Sequence, residues 1–319
     1  MKKIRYALET LLVRFGAWLA PKLSRRAILA VSRAVGAIAY AVDYRGRAAA
    51  HENLRVAFAK ENITADQIRR IAVASYQTFA RTFLDLFWTR RLTRDNYGEV
   101  VHMQLEEEDI VQLAKEKGSL WVTAHFGNFE LISLVWGFRD MNFIVVAQDF
   151  KNATLTDIFK MLREGTGHTV IPQQAAMLRL MKALKKGASS ALVTDLNIPP
   201  NKTSAAIQCF GLQTCVTTLH ANLSDRLDIP VFPGLCIPLP DGHYRVVMLR
   251  GLLAKDFASH QEMAQAVWDR FEKAIREHPE AWLWMYKHWR YLPGNGDDAR
   301  YPAYANPNPA FQKMVAAAS

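Results

Sequence analysis

From Thr93 to about residue 234 the chain alternates between short strand-like runs and longer runs with helical periodicity, and few folds accommodate that alternation. "SLWVTA" (119–124), "NFIVVAQ" (142–148), "HTVIP" (168–172), "SSALVTD" (189–195) and "IPVFPG" (229–234) read as strands. Helices are predicted between them, from about Asn128 to Trp136, around 154–164, over 173–186 and over 215–226, with a long loop after Asp195. The pattern predicts an α/β fold in which helices cover a central sheet. "CIPLP" and "HYRVVMLR", joined by Asp241-Gly242, read as an antiparallel pair, so the sheet is expected to be mixed.

Ahead of the alternation the sequence is helical. Pro21 and Ser24 separate a first helical pattern from a second, which Asp43 to Arg47 closes. Residues 63–88 read as a third, with Thr64 and Gln67 spaced as a capping box. Three regions are expected: a basic amphipathic helical segment over 1–92, an α/β core over 93–294 that ends in the aromatic "AWLWMYKHWRYLP", and a loosely held polar, Pro- and Ala-rich tail over 295–319.

The charge is placed unevenly. Residues 1–50 hold ten Lys or Arg against Glu9 and Asp43, so most of the net +10 lies there, among apolar residues. Leu11, Leu12, Phe15, Trp18 and Leu19 offer an insertable face, and Arg14, Lys22, Arg25 and Arg26 suit anionic headgroups. Contact with a membrane surface is the favoured reading, beside internal packing or a true span. Glu9 and Arg14 fit a signal peptide poorly, and Arg33 divides the apolar run over 27–42. No recognition motif accompanies the charge to suggest nucleic acid. Cys209, Cys215 and Cys236 have no C-x-x-C spacing and read as small core residues, and no nucleotide-binding glycine motif occurs.

The chemistry centres on "HFGNFE", residues 125–130. Spacing alone decides little, because His102 with Glu107 and His220 with Asp225 repeat the interval of His125 and Glu130. Context separates them: His125 ends a strand, Gly127 permits a tight bend, and Asn128 is an N-cap candidate. On one continuous helix the two side chains would diverge by about 140°, whereas across a strand, turn and helix start they can converge. A neutral imidazole can remove a hydroxyl proton while a carboxylate on its other nitrogen fixes the tautomer. Structural hydrogen bonding and metal ligation are the competing readings of the pair. With no Ser or Cys in the motif, direct attack by a substrate hydroxyl is favoured over a covalent enzyme intermediate. Asp195, at the end of the 189–194 strand, reads as a residue of the site's edge or as a turn cap.

Taken in order, the basic apolar N-terminus, "HENLRVAF" (51–58), "HFGNFE", "REGTGHTVIP" (163–172), Asp195, "CFG" (209–211), "IPVFPG" and "HPEAWLWMYKHWR" resemble the bacterial lipid A biosynthesis acyltransferases, within the wider glycerolipid acyltransferase group. The resemblance covers nearly the whole chain. It implies an enzyme of the cytoplasmic face of the inner membrane that moves a fatty acyl chain from acyl carrier protein to a hydroxyl of a lipid A precursor or related glycolipid. Acyl carrier protein and an anionic membrane surface would be its partners, with no metal and no cofactor beyond the acyl-carrier co-substrate.

By the same resemblance His125 would be the general base, Glu130 its orienting partner, and Arg163 a group that binds phosphate or orients substrate. Arg163 reads equally as a helix-end charge facing solvent. Asn128 reads as a donor to the thioester oxygen or as the cap of its helix. Trp282, Trp284 and Trp289 read as packing on the sheet or, with Lys287 and Arg290, as an interfacial patch. "DLNIPPNK" and "MYKHWR" depart from the family's usual continuations, which leaves an ornithine or other amino lipid, or a phosphatidylinositol mannoside, open as acceptor. A catalytically inactive lipid-binding membrane protein is the alternative to an enzyme.

Overall fold

The computed structural model describes residues 2–147, 150–172 and 176–318. Four helices come first: α1 (Lys2–Leu19), α2 (Arg25–Val42), α3 (Tyr44–Ala57) and α4 (Ala65–Trp88). Ser24 accepts from the Ala27 amide to start α2, Asp43 accepts from Gly46 to start α3, and Thr64 and Gln67 close the expected capping box on α4. The alternating part follows as β1 (Val101–Leu105), α5 (Ile110–Lys117), β2 (Ser119–Thr123), α6 (Phe129–Phe138), β3 (Phe143–Ala147), α7 (Ala153–Glu164), β4 (Thr169–Pro172), α8 (Ala176–Leu184) and β5 (Ser189–Val193). It continues through β6 (Ser204–Cys209), β7 (Leu212–Thr217), α9 (Leu219–Leu227), β8 (Val231–Pro238), β9 (Tyr244–Met248) and α10 (His260–Glu277). The chain ends with β10 (Tyr291–Leu292), β11 (Asn306–Pro307) and α11 (Pro309–Ala318).

The main sheet has seven strands in the order β1-β9-β8-β2-β5-β3-β4. The five from β8 to β4 are parallel, and β9 turns back antiparallel on β8, with β1 parallel to β9, so the sheet is mixed. Period-two alternation sorts the strand side chains onto its two faces. Leu120, Val122, Ile144, Val146 and Leu192 join α3, α8, α9 and α10 in one core, while Trp121, Phe143, Val145 and Ala191 meet α5 and α6 in another.

Several differences from the expectation have local causes. The predicted long loop after Asp195 contains the β6–β7 hairpin, whose two-residue turn puts Phe210 at φ 51° and Gly211 at φ 72°. A left-handed Phe is costly, and the burial of its ring beside Trp282, Trp284 and Trp289 offsets that cost. Residues 215–217 belong to β7, so the helix expected from 215 starts at Leu219. "IPVFPG" and "CIPLP" fuse into the single strand β8. Gln148, at the end of one predicted strand, and Gln173 to Ala175, at the start of a predicted helix, lie outside the described residues. The tail is not loosely held: Phe311 and Val315 are buried against Ala206 and Cys215 of the hairpin.

Residues 1–92 share their core with the rest of the chain. Ala50, Leu54 and Ala72 sit in the same cluster as Leu120 and Trp282, and Asn53 donates to the Trp284 and Tyr286 carbonyls. A buried charge fixes the join. Asp85 of α4 is fully buried and takes a bidentate pair from Arg25 of α2, at 2.5 and 2.9 Å, and a hydrogen bond from the Tyr244 hydroxyl. Arg81 lies over the Tyr244 ring and donates to the Gly242 carbonyl. A buried carboxylate is tolerable only when paired and hydrogen-bonded in this way, and the cluster ties α2 and α4 to the hairpin between β8 and β9.

Candidate active site

β2 and β5 are adjacent and parallel, with Thr123 opposite Val193. The register continues past the strands, where the Thr194 amide donates to the Thr123 carbonyl, and this sets His125 opposite Asp195 at the carboxyl end of the sheet. Ligands of open α/β sheets bind at that end. His125 Nδ1 lies 2.8 Å from Asp195 Oδ1, and the His125 amide donates to Oδ2 at 3.0 Å. Trp282 Nε1 donates to the same Oδ2 at 2.8 Å. A carboxylate accepts, so Nδ1 carries the proton, and Nε2 is left as a bare acceptor with no partner among the described residues.

The turn after His125 needs glycine. Gly127 has φ 54°, and a Cβ there would fall 1.8 Å from the Cys236 carbonyl oxygen. The Gly127 amide donates to the Ala281 carbonyl, and Thr82 donates to the Gly127 carbonyl, so the bend is held from both sides. Asn128 then caps α6 by accepting from the Leu131 amide at 3.1 Å, and its Nδ2 donates to Asp85 at 3.4 Å. Both ends of its amide are used inside the fold, which favours helix capping, of the two readings, over donation to a thioester oxygen.

Glu130 goes elsewhere than expected. Its carboxylate receives Arg163 Nε at 3.0 Å and Nη2 at 2.5 Å, a fork-to-fork pair. The carboxylate that bonds the imidazole is therefore Asp195, and Glu130 reaches His125 through its charge alone. Burial acts to lower the His125 pKa, but the Asp195 charge and hydrogen bond, with a smaller part from Glu130, outweigh it and the net shift is upward from 6.5. For Asp195, burial pushes upward, and His125, His288 and Trp282 together carry its pKa below the ordinary 3.8. His288 stacks on Trp282 with ring centroids 3.8 Å apart, and its burial drives its own pKa down to about 4, so it stays neutral at pH 7. Trp282, Trp284 and Trp289 are fully buried, which selects packing on the sheet over an interfacial patch.

A cavity of about 520 Å³ opens at His125, within the range of small-molecule sites. Phe129, Glu130 and Arg163 line it beside His125, and Phe150 and Val193, each about two-fifths exposed, mark its rim. The deep part is apolar, walled by Trp121, Phe143 and Met248, which are almost fully buried, and by Val145 and Ala191 of the sheet. Such a space fits an alkyl chain whose reactive end lies at a basic imidazole nitrogen beside a guanidinium. Sequence reasoning underrated Asp195 because its partner is seventy residues away, and only its position at a strand end and its place in the family resemblance hinted at it.

Residues 1–291 match the family described as bacterial lipid A biosynthesis acyltransferase. The chain belongs to that family. A lipid acyltransferase activity in general terms, with an acyl donor and an acceptor, follows from the membership. No curated protein matches the chain in sequence. Among solved structures it is similar to the 1-acyl-sn-glycerophosphate (LPA) acyltransferase PlsC of Thermotoga maritima, at 14% identity over 81% of this chain and 99% of that one, with a TM-score of 0.35. That likeness is too distant to carry an argument about the site.

The electrostatics make a direct prediction. In an NMR titration of ring-labelled histidine, assigned by loss of the signal in the variant His125→Ala, His125 should titrate above 6.5. Asp195→Asn should move it toward acid. An unchanged titration in Asp195→Asn would show that another group sets the imidazole's charge.

Proposed function

We propose that this family member transfers a fatty acyl chain from acyl carrier protein to a hydroxyl of a phosphorylated, lipid A-type membrane glycolipid. The observation that carries the reading is the apolar cavity ending at an imidazole whose Nδ1–H is held by buried Asp195 and whose Nε2 has no partner among the described residues. The acyl chain lies in the cavity with its thioester carbonyl at the mouth. His125 Nε2 takes the acceptor hydroxyl proton as the oxygen attacks that carbonyl, and Asp195 stabilises the imidazolium. Collapse of the tetrahedral state breaks the carbon–sulfur bond, and the proton returns from His125 to the departing thiolate. The products are the ester and the free carrier thiol. Glu130 holds Arg163 at the mouth, where its guanidinium meets an acceptor phosphate.

The helical layer supports a membrane site for this chemistry. On α1, Ile4, Leu8, Leu11, Leu12, Phe15 and Trp18 are all exposed, and on α2 so are Val31, Val35, Ile38 and Val42, each set at helical spacing. Arg14, Arg26 and Arg33 lie beside these stripes. No single described helix is long and apolar enough to cross a membrane. α2 and α3 pass that test only as a pair bent by 94°, and α3 buries Ala50 and Leu54 in the core. The helices are read as lying in the interface of the cytoplasmic leaflet of the inner membrane.

Purified protein given acyl carrier protein thioester and an under-acylated glycolipid should yield the acylated product by mass spectrometry. His125→Ala should cut turnover by about 10²–10⁴-fold while remaining folded. A wild-type rate in that variant would remove the general-base role. Loss of a chain from ornithine or other amino lipids instead of lipid A in a deletion strain would reassign the acceptor, and no transfer to any lipid would favour a lipid-binding protein.

The exposed α1 residues can be changed without opening the core. Leu8→Glu combined with Leu12→Glu should release most of the protein from anionic vesicles in a sedimentation assay. Unchanged sedimentation would place the attachment elsewhere.

A further inference from the structure

Helix α8 has an outer face that no other described residue covers. Its inner residues Leu180 and Leu184 are buried in the core on the sheet face opposite the cavity. Its outer face and the turn after it expose Met177, Leu178, Arg179, Lys182, Lys185 and Lys186. Leu178 is 76% exposed and Met177 44%. Residues 176–186 contain four cations and no acid. Among the described residues none of the four side chains makes an ion pair, a hydrogen bond or a ring contact. Some exposed cations elsewhere are paired, as with Arg276 between Glu61 and Glu272 or Lys117 with Asp228.

The position of this face is specific. β4 ends on the side of the sheet that carries His125 and Asp195, and α8 runs back from there to the start of β5. Its first turn, with Met177, Leu178 and Arg179, thus sits at the site's end of the sheet, Lys182 lies roughly 6 Å farther along the helix axis at 1.5 Å per residue, and Lys185 and Lys186 follow in the turn beyond the helix. Phe150 and Val193, the exposed rim of the cavity, stand at the carboxyl ends of neighbouring strands. The start of α8 and the rim of the cavity thus share the carboxyl end of the sheet.

We infer that the outer face of α8 is the docking surface for the acidic carrier protein that brings the acyl thioester, with Met177 and Leu178 as the apolar contact and Arg179, Lys182, Lys185 and Lys186 as the steering charge. The inference rests on the acyl-transfer reading above. A flat bilayer is the weaker occupant, because the cations run along a helix that leads away from the site's end, and a surface at that end reaches only the first turn. A globular acidic partner can follow the whole row. Apolar contacts surrounded by charge of one sign suit a transient protein complex, in which the charge sets the association rate and its salt dependence.

The test uses the full-length protein in detergent and acyl carrier protein labelled with a fluorophore, so that binding is read without turnover. Charge reversal in Arg179→Glu with Lys182→Glu should weaken anisotropy-measured binding about tenfold or more and flatten its salt dependence. Lys185→Glu with Lys186→Glu, farther from the site, provides a second variant with the same expected direction. In turnover, KM for the carrier thioester should rise while kcat/KM for a short acyl-pantetheine thioester, which lacks the protein, stays at the wild-type value. Vesicle binding should also be unchanged. Wild-type carrier affinity in both folded variants overturns the proposal. A loss of vesicle binding with carrier affinity intact also overturns it and assigns the face to the bilayer. A protein that binds the carrier through α8 but transfers no acyl group would retain this surface and reject the proposed reaction.

Discussion

The buried Asp195 carboxylate is the interaction on which the site depends. A carboxylate removed from water must be matched by donors or it will take up a proton, and here the donors are the His125 amide, its imidazole and the Trp282 indole. Each comes from a different constraint: the β2–β5 register, the glycine bend after β2, and the packed aromatic segment near the C-terminus. One charge therefore joins three distant stretches of chain and, in doing so, chooses which imidazole nitrogen is left bare.

A second charge network supports the first from the outside. Asp85 binds Arg25 of α2 and reaches Asn128, and Asn128 starts the helix that carries Glu130. Glu130 in turn fixes Arg163 across the cavity mouth. Helix α2, which carries one of the exposed apolar stripes, is thus connected by named hydrogen bonds to α6, which walls the cavity. If the α2 stripe rests on a bilayer, the cavity is held at a fixed attitude to it, because the connection runs through Asp85 and Asn128, which are both buried and hydrogen-bonded.

Much of this was legible locally. The capping box at Thr64, the N-cap at Asn128, the bend at Gly127 and the period-two strands follow from neighbours within a few residues, and so does the mixed sheet. The motif also pointed to His125. What short-range patterns cannot state is strand order. Asp195 faces His125 only because β5 lies beside β2 with Thr123 opposite Val193, and Glu130, nearer in sequence, was the natural partner to expect until Arg163 was seen to claim it. The β6–β7 hairpin was hidden for a related reason: its turn uses a left-handed Phe, which no turn rule favours and which only the aromatic pocket around it permits. The C-terminal tail looked polar, yet Phe311 and Val315 at helical spacing are enough to dock it.

The central claim is a division of labour in which Asp195 serves His125 and Glu130 serves Arg163. Steady-state kinetics of Asp195→Asn and Glu130→Gln, measured side by side with the same donor and acceptor, tests it most directly. The account predicts that Asp195→Asn lowers kcat by about 10²–10⁴-fold with little change in acceptor KM, and that Glu130→Gln chiefly raises acceptor KM by freeing Arg163. The opposite pattern, with the large kcat loss in Glu130→Gln and near-normal turnover in Asp195→Asn, would contradict it.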